Sequence, residues 1–205
     1  GTLRIRLPES LHGKTVHVAF YDTDQTGSAQ PLDHAVVDDA TIDVDIPGFR
    51  VFGSIVISED ANLVRNPSFE MDGYTQTPTH WQTSGANDNA DYAQPGGRTG
   101  EYELTHWSDQ NYNVYTYQTI TGIANGTYSV KAWVKNPYGG LGSAYMEAKD
   151  FGGTAMRYDI PVSSSWTQIQ IADIPVTSGE LTVGFYSDSP AHQWYVVDDV
   201  EVYRQ

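Results

Sequence analysis

The segment GTYSVKAWVKN, residues 126–136, gives the clearest indication of the fold class of this chain. Apolar and polar side chains alternate along it with a period of two, which is typical of a strand with one buried face. The apolar row consists of Tyr128, Val130, Ala132 and Val134. Trp133 lies in the opposite row between Lys131 and Lys135, and burying that row would take both ammonium groups out of water. We therefore expect Trp133 to point away from the core.

The same alternation recurs on both sides of this segment. Residues 1–60 contain LRIRL, KTVHVAFY, TIDVDI and RVFGSIVIS, and later segments include GEYELTHW, NVYTYQTIT, SAYMEAKD, ELTVGFYSD and WYVVDDVEVY. No window carries a helical apolar stripe, and Gly, Pro and Asn separate the strands. We predict an all-β chain, with a small sandwich-like unit of unknown role over residues 1–60 and a jelly-roll β-sandwich over residues 61–205.

Composition narrows the classes of partner. The net charge is −15, so a phosphate backbone or an anionic membrane surface would be repelled, and we expect neither as a partner. No cysteine is present, which excludes disulfides and thiol chemistry. The sequence opens on Gly1 and shows no signal peptide or membrane-length apolar run, so we expect it to be a processed or excised part of a longer protein.

Several strands place aromatic side chains on their outward faces. The alternation assigns this position to Trp107, Tyr115, Tyr117, Trp133, Tyr145 and Tyr186, with Glu147 and Lys149 among their polar neighbours. A pyranose packs its C–H face on an aromatic ring and offers its hydroxyls to polar side chains, so this combination suits a sugar. We expect these side chains to form one carbohydrate-binding surface. The alternative is that some of them are ordinary packing beneath loops. His106 follows the inward direction of Leu104, and we expect it to be structural.

Two carboxylates are candidates for a calcium site. On the last strand Asp198 alternates with Val196, Val200 and Val202, and a carboxylate in an apolar row needs a partner. Ca²⁺ supplies one when a second carboxylate such as Glu70 converges on it. The alternative is that Asp198 accepts hydrogen bonds from loop amides. The stretch from Asp22 to Asp33 partly matches a calcium-loop pattern, but its flanks read as strands, which favours a polar hairpin loop.

Signatures of catalysis are missing from the sequence. It contains no nucleophile elbow, no phosphate-binding Gly-Lys loop and no H-E-x-x-H. A glycosidase needs two carboxyls on the same side of a cleft, and neighbouring Asp198 and Asp199 point to opposite faces of a strand. We therefore expect a non-enzyme. A small β-sandwich glycoside hydrolase or polysaccharide lyase, and an adhesion or spacer module, remain the alternatives.

Residues 61–205 resemble the carbohydrate-binding modules built on the galactose-binding-like β-sandwich. NLVRNPSFE near the start and VVDDVEVY at the end carry this likeness, and YELTHWS, AYMEAKDFGG and VGFYSD resemble family 61, which is appended to bacterial endo-β-1,4-galactanases. The resemblance implies a secreted or cell-surface bacterial module that holds a catalytic domain on β-1,4-galactan. It also implies a structural Ca²⁺ at Glu70 and Asp198, and sugar contacts from Trp107, Trp133, Tyr145 and Glu147.

Overall fold

The structure is a computed structural model that describes residues 1–12, 16–22, 30–32, 34–45, 53–59, 62–87 and 89–205. Its contacts divide the chain into two compact units, Gly1–Ala61 and Asn62–Gln205. The stretch from Asp22 to Asp33, in which the sequence suggested an ion-binding or hairpin loop, lies mostly outside the described residues.

The described residues of the N-terminal unit form two three-stranded antiparallel sheets. Its strands are β1 (Thr2–Arg6), β2 (Val16–Asp22), β3 (Gln30–Pro31), β4 (His34–Asp38), β5 (Thr41–Asp45) and β6 (Gly53–Glu59). One sheet has the order β1-β5-β4 and the other β3-β2-β6, and a 3-10 turn spans Glu9–Leu11. The alternating apolar residues that predicted these strands supply a small core of Leu7, Val16, Val18, Ile42 and Val44.

The C-terminal unit is a sandwich of two larger antiparallel sheets. Its strands are β7 (Thr75–Gln76), β8 (Gln82–Ser84), β9 (Asp91–Pro95), β10 (Tyr102–Trp107), β11 (Tyr112–Thr121), β12 (Gly126–Asn136), β13 (Ser143–Lys149), β14 (Met156–Asp159), β15 (Ser163–Val176), β16 (Glu180–Ser189) and β17 (Trp194–Arg204). The six-stranded sheet has the order β15-β12-β17-β10-β9-β7, and the five-stranded sheet the order β14-β13-β16-β11-β8. The predicted all-β class and its β-sandwich are thus confirmed.

The core of the sandwich lies between the two sheets. The six-stranded sheet contributes Val130, Ala132 and Val134, as the alternation in β12 predicts, and the five-stranded sheet contributes Met146 and Phe185 among others. Fully burying a valine, methionine or phenylalanine side chain stabilises the fold by about 1.5–3 kcal/mol. Since both inner faces meet in this core, the two outer faces point in opposite directions.

A β-bulge in β17 changes which of its side chains face the core. Lys131 and Trp133 of β12 pair with Glu201 and Asp198, so the single residue between them on β12 opposes two residues, Asp199 and Val200, on β17. Asp199 adopts a left-handed backbone conformation with φ of 48° at this point. The core therefore receives Tyr195 and Val197 before the bulge and Val200 and Val202 after it. The predicted inward direction of Asp198 and Val196 is wrong, because unbroken alternation does not hold across a bulge.

In the part of the chain that the structure describes, no helix is long and apolar enough to span a membrane.

Candidate functional site

Four tyrosines lie together on the outer face of the five-stranded sheet. Tyr145, Tyr186 and Tyr115 are directly paired across β13, β16 and β11, and Tyr117 follows Tyr115 on the same side of β11. The rings of Tyr145 and Tyr186 stack at 4.8 Å between centroids, and those of Tyr115 and Tyr117 at 5.1 Å. We call these four residues the tyrosine face. Cross-strand register brings them together, because paired residues of antiparallel strands project from the same side.

A glycine in mid-strand makes room for one of these rings. A Cβ atom at Gly184 would lie 2.5 Å from Cζ and from the hydroxyl oxygen of Tyr115, so that ring lies across the backbone of β16. Tyr115 is consequently only 9% exposed. Burial, and then the negative charge of Glu147, raise the pKa of the Tyr115 hydroxyl. Tyr115 thus forms the base of the tyrosine face, and its neighbours form the more exposed part.

Charged side chains border the tyrosine face on β13 and β14. Glu147 is buried, and its carboxylate accepts a hydrogen bond from Arg157 Nε at 2.8 Å and lies 3.5 Å from Lys149 Nζ. Lys149 Nζ also lies 4.3 Å from the centroid of Tyr115, and the guanidinium carbon of Arg157 lies 4.2 Å from that of Tyr145. These cation–π contacts and ion pairs hold donors and an acceptor beside the rings.

The two predicted tryptophans are not part of this surface. Trp107 ends β10 and Trp133 lies in β12, and both strands belong to the six-stranded sheet. Their outer face points away from the tyrosine face, so the expectation of one continuous aromatic surface is wrong. The alternation gave the direction of each side chain correctly, but it contains no information about which sheet a strand joins. In addition, the guanidinium of Arg98 covers the ring of Trp133 at 3.8 Å from its centroid.

Glu70 and Asp198 both bind the loop of residues 96–102. Asp198 Oδ2 accepts hydrogen bonds from the backbone N–H groups of Arg98 at 2.6 Å and Thr99 at 3.1 Å, and Oδ1 accepts one from Asp199. Glu70 Oε1 accepts from the amides of Glu101 and Tyr102 at 2.9 and 2.8 Å. For Asp198 this is the amide-capping arrangement that the sequence left open as an alternative to a metal ligand.

Burial has the largest effect on the pKa of Asp198. Burial raises its pKa to about 7, although the amides of Thr99 and Asp199 favour the carboxylate and oppose this change. A nearby cation would favour the charged form in the same way.

The donor chemistry of this loop fits Ca²⁺. Carboxylate and backbone carbonyl oxygens are the ligands that Ca²⁺ takes, and Glu70 and Asp198 bring two carboxylates to the same short loop. Among the residues placed in the structure, Glu70 Oε2 accepts no hydrogen bond. Over those same residues, no cluster of three or more His, Cys, Asp or Glu side chains is placed to hold a metal. Backbone oxygens of the loop would therefore have to complete a calcium site.

His106 lies inside the sandwich, in the direction that the sequence predicts. It is fully buried, with Nδ1 2.7 Å from Ser187 Oγ and Nε2 2.8 Å from Thr116 Oγ1. Thr116 in turn donates a hydrogen bond to the buried carboxylate of Asp91, and Tyr195 OH lies 3.2 Å from His106 Nδ1. Burial lowers the pKa of His106 to about 3, so the imidazole is neutral at pH 7. This network satisfies polar groups within the core.

Sequence reasoning missed two residues that shape the tyrosine face. Arg157 lies on β14, a four-residue edge strand that is too short to show alternation. Gly184 interrupts the ELTVGFYSD strand, and an isolated glycine in a strand is a known signal of a close approach of other atoms. That signal was available, but only the structure identifies Tyr115 as the group that approaches.

Comparison of the sequence with known proteins gives one informative relative. No family model matches the chain. A 1,6-alpha-glucosyltransferase of Sporosarcina globispora is 31% identical over an alignment of 157 residues, and the match covers 71% of this chain and 12% of that protein. The chain thus corresponds to a small part of this relative.

Comparison of the structure finds several solved structures that are similar to this chain. TmCBM61 in complex with beta-1,4-galactotriose matches with a TM-score of 0.61 and 21% identity over 70% of this chain and 99% of that one. A family 16 carbohydrate-binding module matches with a TM-score of 0.50 and 18% identity over 70% of this chain and 100% of that one. The enzymatically active domain of tailspike protein 4 of bacteriophage CBA120 matches at 0.55 and 15% identity, over 69% and 21% of the two chains. The C-terminal unit therefore has the β-sandwich fold of carbohydrate-binding modules, as the resemblance of its sequence predicts.

Proposed function

We propose that the C-terminal unit is a non-catalytic carbohydrate-binding module and that its ligand lies on the tyrosine face. The observation that carries this proposal is the arrangement of Tyr145, Tyr186, Tyr115 and Tyr117 as two stacked pairs on three neighbouring strands. A neutral polysaccharide suits this surface, and β-1,4-galactan is our first candidate. TmCBM61, whose fold the unit shares, was solved with beta-1,4-galactotriose.

Binding would combine stacking with hydrogen bonds to sugar hydroxyls. Tyrosine offers a large rigid ring and loses little rotamer freedom on binding, so it suits a surface that grips a flexible glycan. Lys149 and Arg157 offer N–H donors beside the rings, and Glu147 holds both of them in place. The exposed character of such a surface leads us to expect micromolar affinity or weaker.

The contacts of Glu147 support a binding role over a catalytic one. A glycosidase needs one carboxyl that can be protonated and a second one opposite it. The Glu147 carboxylate instead accepts a hydrogen bond from Arg157 and lies near Lys149. The function of Glu147 in this proposal is to position the side chains of Arg157 and Lys149.

The relative from Sporosarcina globispora favours a second candidate ligand. It is a 1,6-alpha-glucosyltransferase, and its match covers 71% of this chain. An α-glucan with 1,6 links is therefore the alternative to galactan on the same tyrosine face. In either case we propose that the unit anchors the catalytic domain of a secreted or cell-surface bacterial enzyme to its polysaccharide. On a galactan ligand, that enzyme would be a glycoside hydrolase acting on plant cell walls.

Affinity electrophoresis tests the proposal. The 205-residue chain is run in gels containing galactan, arabinan, xylan, a soluble cellulose derivative or dextran. We expect galactan to retard the chain and Tyr145→Ala or Tyr186→Ala to abolish the retardation. Tyr158→Ala is the matched control. Tyr158 is an exposed tyrosine of the same sheet, but it pairs with Met146, which faces the core, so Tyr158 does not project from the side of the tyrosine face.

Each other outcome has a defined meaning. Retardation by dextran alone would replace galactan with an α-glucan. Retardation that survives both tyrosine substitutions would show that the tyrosine face is not the site. Release of reducing ends from any of these polysaccharides by the chain itself would refute the non-catalytic assignment.

We also propose that a structural Ca²⁺ binds between Glu70 and Asp198. The oxygen donors and the shared loop support this, and the ion would neutralise the buried carboxylate of Asp198. Its role would be to fix the loop of residues 96–102 against the sandwich, at a site separate from the tyrosine face.

A further inference from the structure

We propose that the outer face of the six-stranded sheet carries a second carbohydrate site, a pocket that takes a single neutral sugar ring. A cavity of about 260 Å³ lies there, lined by Tyr92, Gln94, Thr105, Trp107 and Trp194. We call it the tryptophan pocket. It lies on the opposite side of the sandwich from the tyrosine face, so one sugar ring cannot contact both.

Strand register assembles the tryptophan pocket. Trp107 of β10 pairs directly with Trp194 of β17, and Thr105 of β10 pairs with Tyr92 of β9. Leu104 of β10 points into the core, so Thr105 and Trp107 project outward. The three aromatic rings therefore stand on three adjacent strands, around the position of Thr105.

The unpaired hydroxyl of Thr105 is evidence for a ligand in this pocket. Thr105 is only 1% exposed, yet its Oγ1 has no hydrogen-bond partner among the described residues. Buried hydroxyls are nearly always paired, because an unpaired one loses its interactions with water and gains none. Here the unpaired group lines a cavity large enough for a ligand, and a sugar hydroxyl can both donate to it and accept from it.

The walls of the tryptophan pocket determine the class of ligand. Trp107 is 36% exposed and offers a ring to the C–H face of a pyranose. Gln94 supplies an amide, and its weak hydrogen bond of 3.4 Å to Glu103 leaves it able to exchange partners. None of the five described residues that line the cavity carries a charge, so the expected ligand is neutral. The cavity is slightly smaller than sites for drug-sized ligands, which start at about 300 Å³, and this favours one sugar unit at a chain end over a continuous chain.

Titration of the 205-residue chain with two simple glycosides tests this site. Methyl β-D-galactopyranoside and methyl α-D-glucopyranoside are raised to about 100 mM, enough to detect a millimolar Kd. Intrinsic tryptophan fluorescence reports binding, because two of the five tryptophans line the pocket. We expect a saturable change with at least one glycoside. Trp194→Ala should weaken it about tenfold or more, and the matched control Tyr158→Ala, at a residue outside both the tryptophan pocket and the tyrosine face, should leave it unchanged.

Thr105→Val separates a ligand-binding hydroxyl from a structural one. The substitution removes a buried unpaired group without changing the side-chain volume much, so it should raise the melting temperature by about 2–4 °C. In the same variant we expect the glycoside affinity to fall about fivefold.

Three results would overturn the tryptophan pocket as a sugar site. The first is the absence of a saturable change with either glycoside. The second is a change that Tyr186→Ala abolishes and Trp194→Ala preserves, which would place the sugar on the tyrosine face. The third is a Thr105→Val variant that binds as the parent does. Failure of the galactan experiment above would leave these results unaffected, since the two sites lie on different sheets.

Discussion

Replacing Gly184 by alanine tests how the tyrosine face is built. In the parent chain the ring of Tyr115 occupies the space where a side chain at residue 184 would begin, because a Cβ there would lie 2.5 Å from Cζ and 2.7 Å from Cε2 of that ring. Gly184→Ala must therefore push the ring outward. The displaced ring would lose its packed position beneath Tyr117 and Lys149.

Two opposing effects set the magnitude. Alanine is favoured over glycine inside a strand by about 0.5–1 kcal/mol, since it has less conformational freedom to lose. Overpacking a well-filled site costs about 1–3 kcal/mol. The clash is the larger effect, and we expect Gly184→Ala to lower the free energy of unfolding by about 1–2 kcal/mol. Glycan affinity should fall as well, because the base of the tyrosine face moves.

A double-mutant cycle with Tyr115→Ala isolates the clash. In the Tyr115→Ala background the space over residue 184 is open, so the added methyl group should be neutral or stabilising there. Chemical denaturation of the four proteins measures the coupling, which we expect to be about 1–3 kcal/mol. If Gly184→Ala destabilises the chain equally in both backgrounds, the ring of Tyr115 is not what glycine accommodates, and our account of the tyrosine face is refuted.

Three further predictions concern the interior and the loop of residues 96–102. Because burial lowers the pKa of His106 to about 3 while the unfolded chain titrates near 6.5, the unfolded state binds more protons between these values. The free energy of unfolding should therefore fall as the pH is lowered from 6.5, by up to about 1.4 kcal/mol per pH unit. Chemical denaturation at a series of pH values should show that the free energy of unfolding of His106→Gln depends less steeply on pH than that of the parent chain. Gly100→Ala should lower the free energy of unfolding by about 2 kcal/mol more than the control Gly122→Ala does. Both glycines have a left-handed backbone, but a Cβ at Gly100 would lie 2.4 Å from Glu70 Oε1, whereas a Cβ at Gly122 would contact nothing within 4 Å. Calorimetric melting with calcium should occur at a higher temperature than melting with a chelator, and Asp198→Asn should remove the difference; equal melting temperatures in the parent chain would contradict the calcium proposal.

Much of the fold followed from local pattern. The alternation in β12, β13 and β16 predicted strands, and it gave the direction of Trp133, Tyr145 and Tyr186 correctly. The apolar rows that it identified form the core of the sandwich. These properties are encoded locally, because the side chains of a strand alternate between its two faces whatever its neighbours are.

The bulge at Asp199 shows where local pattern stops being sufficient. An additional residue in β17 reverses the alternation, and no change in composition marks it. Asp198 therefore caps loop amides on the outer side of the sheet. The sequence pattern had instead predicted that it points inward among the core valines. The reversal depends on the pairing of β17 with β12, which joins residues more than 60 positions apart in the sequence.

Local pattern in the sequence was enough to predict an all-β sandwich with aromatic side chains on its outer faces. The assignment of the four tyrosines to one sheet, and of Trp107 and Trp133 to the other, required the strand order of the folded chain. The direction of a side chain depends on its own strand, but its neighbours depend on strand order and register, which are set by hydrogen bonds between distant segments. For that reason the sequence predicted one aromatic surface, and the fold divides it into two.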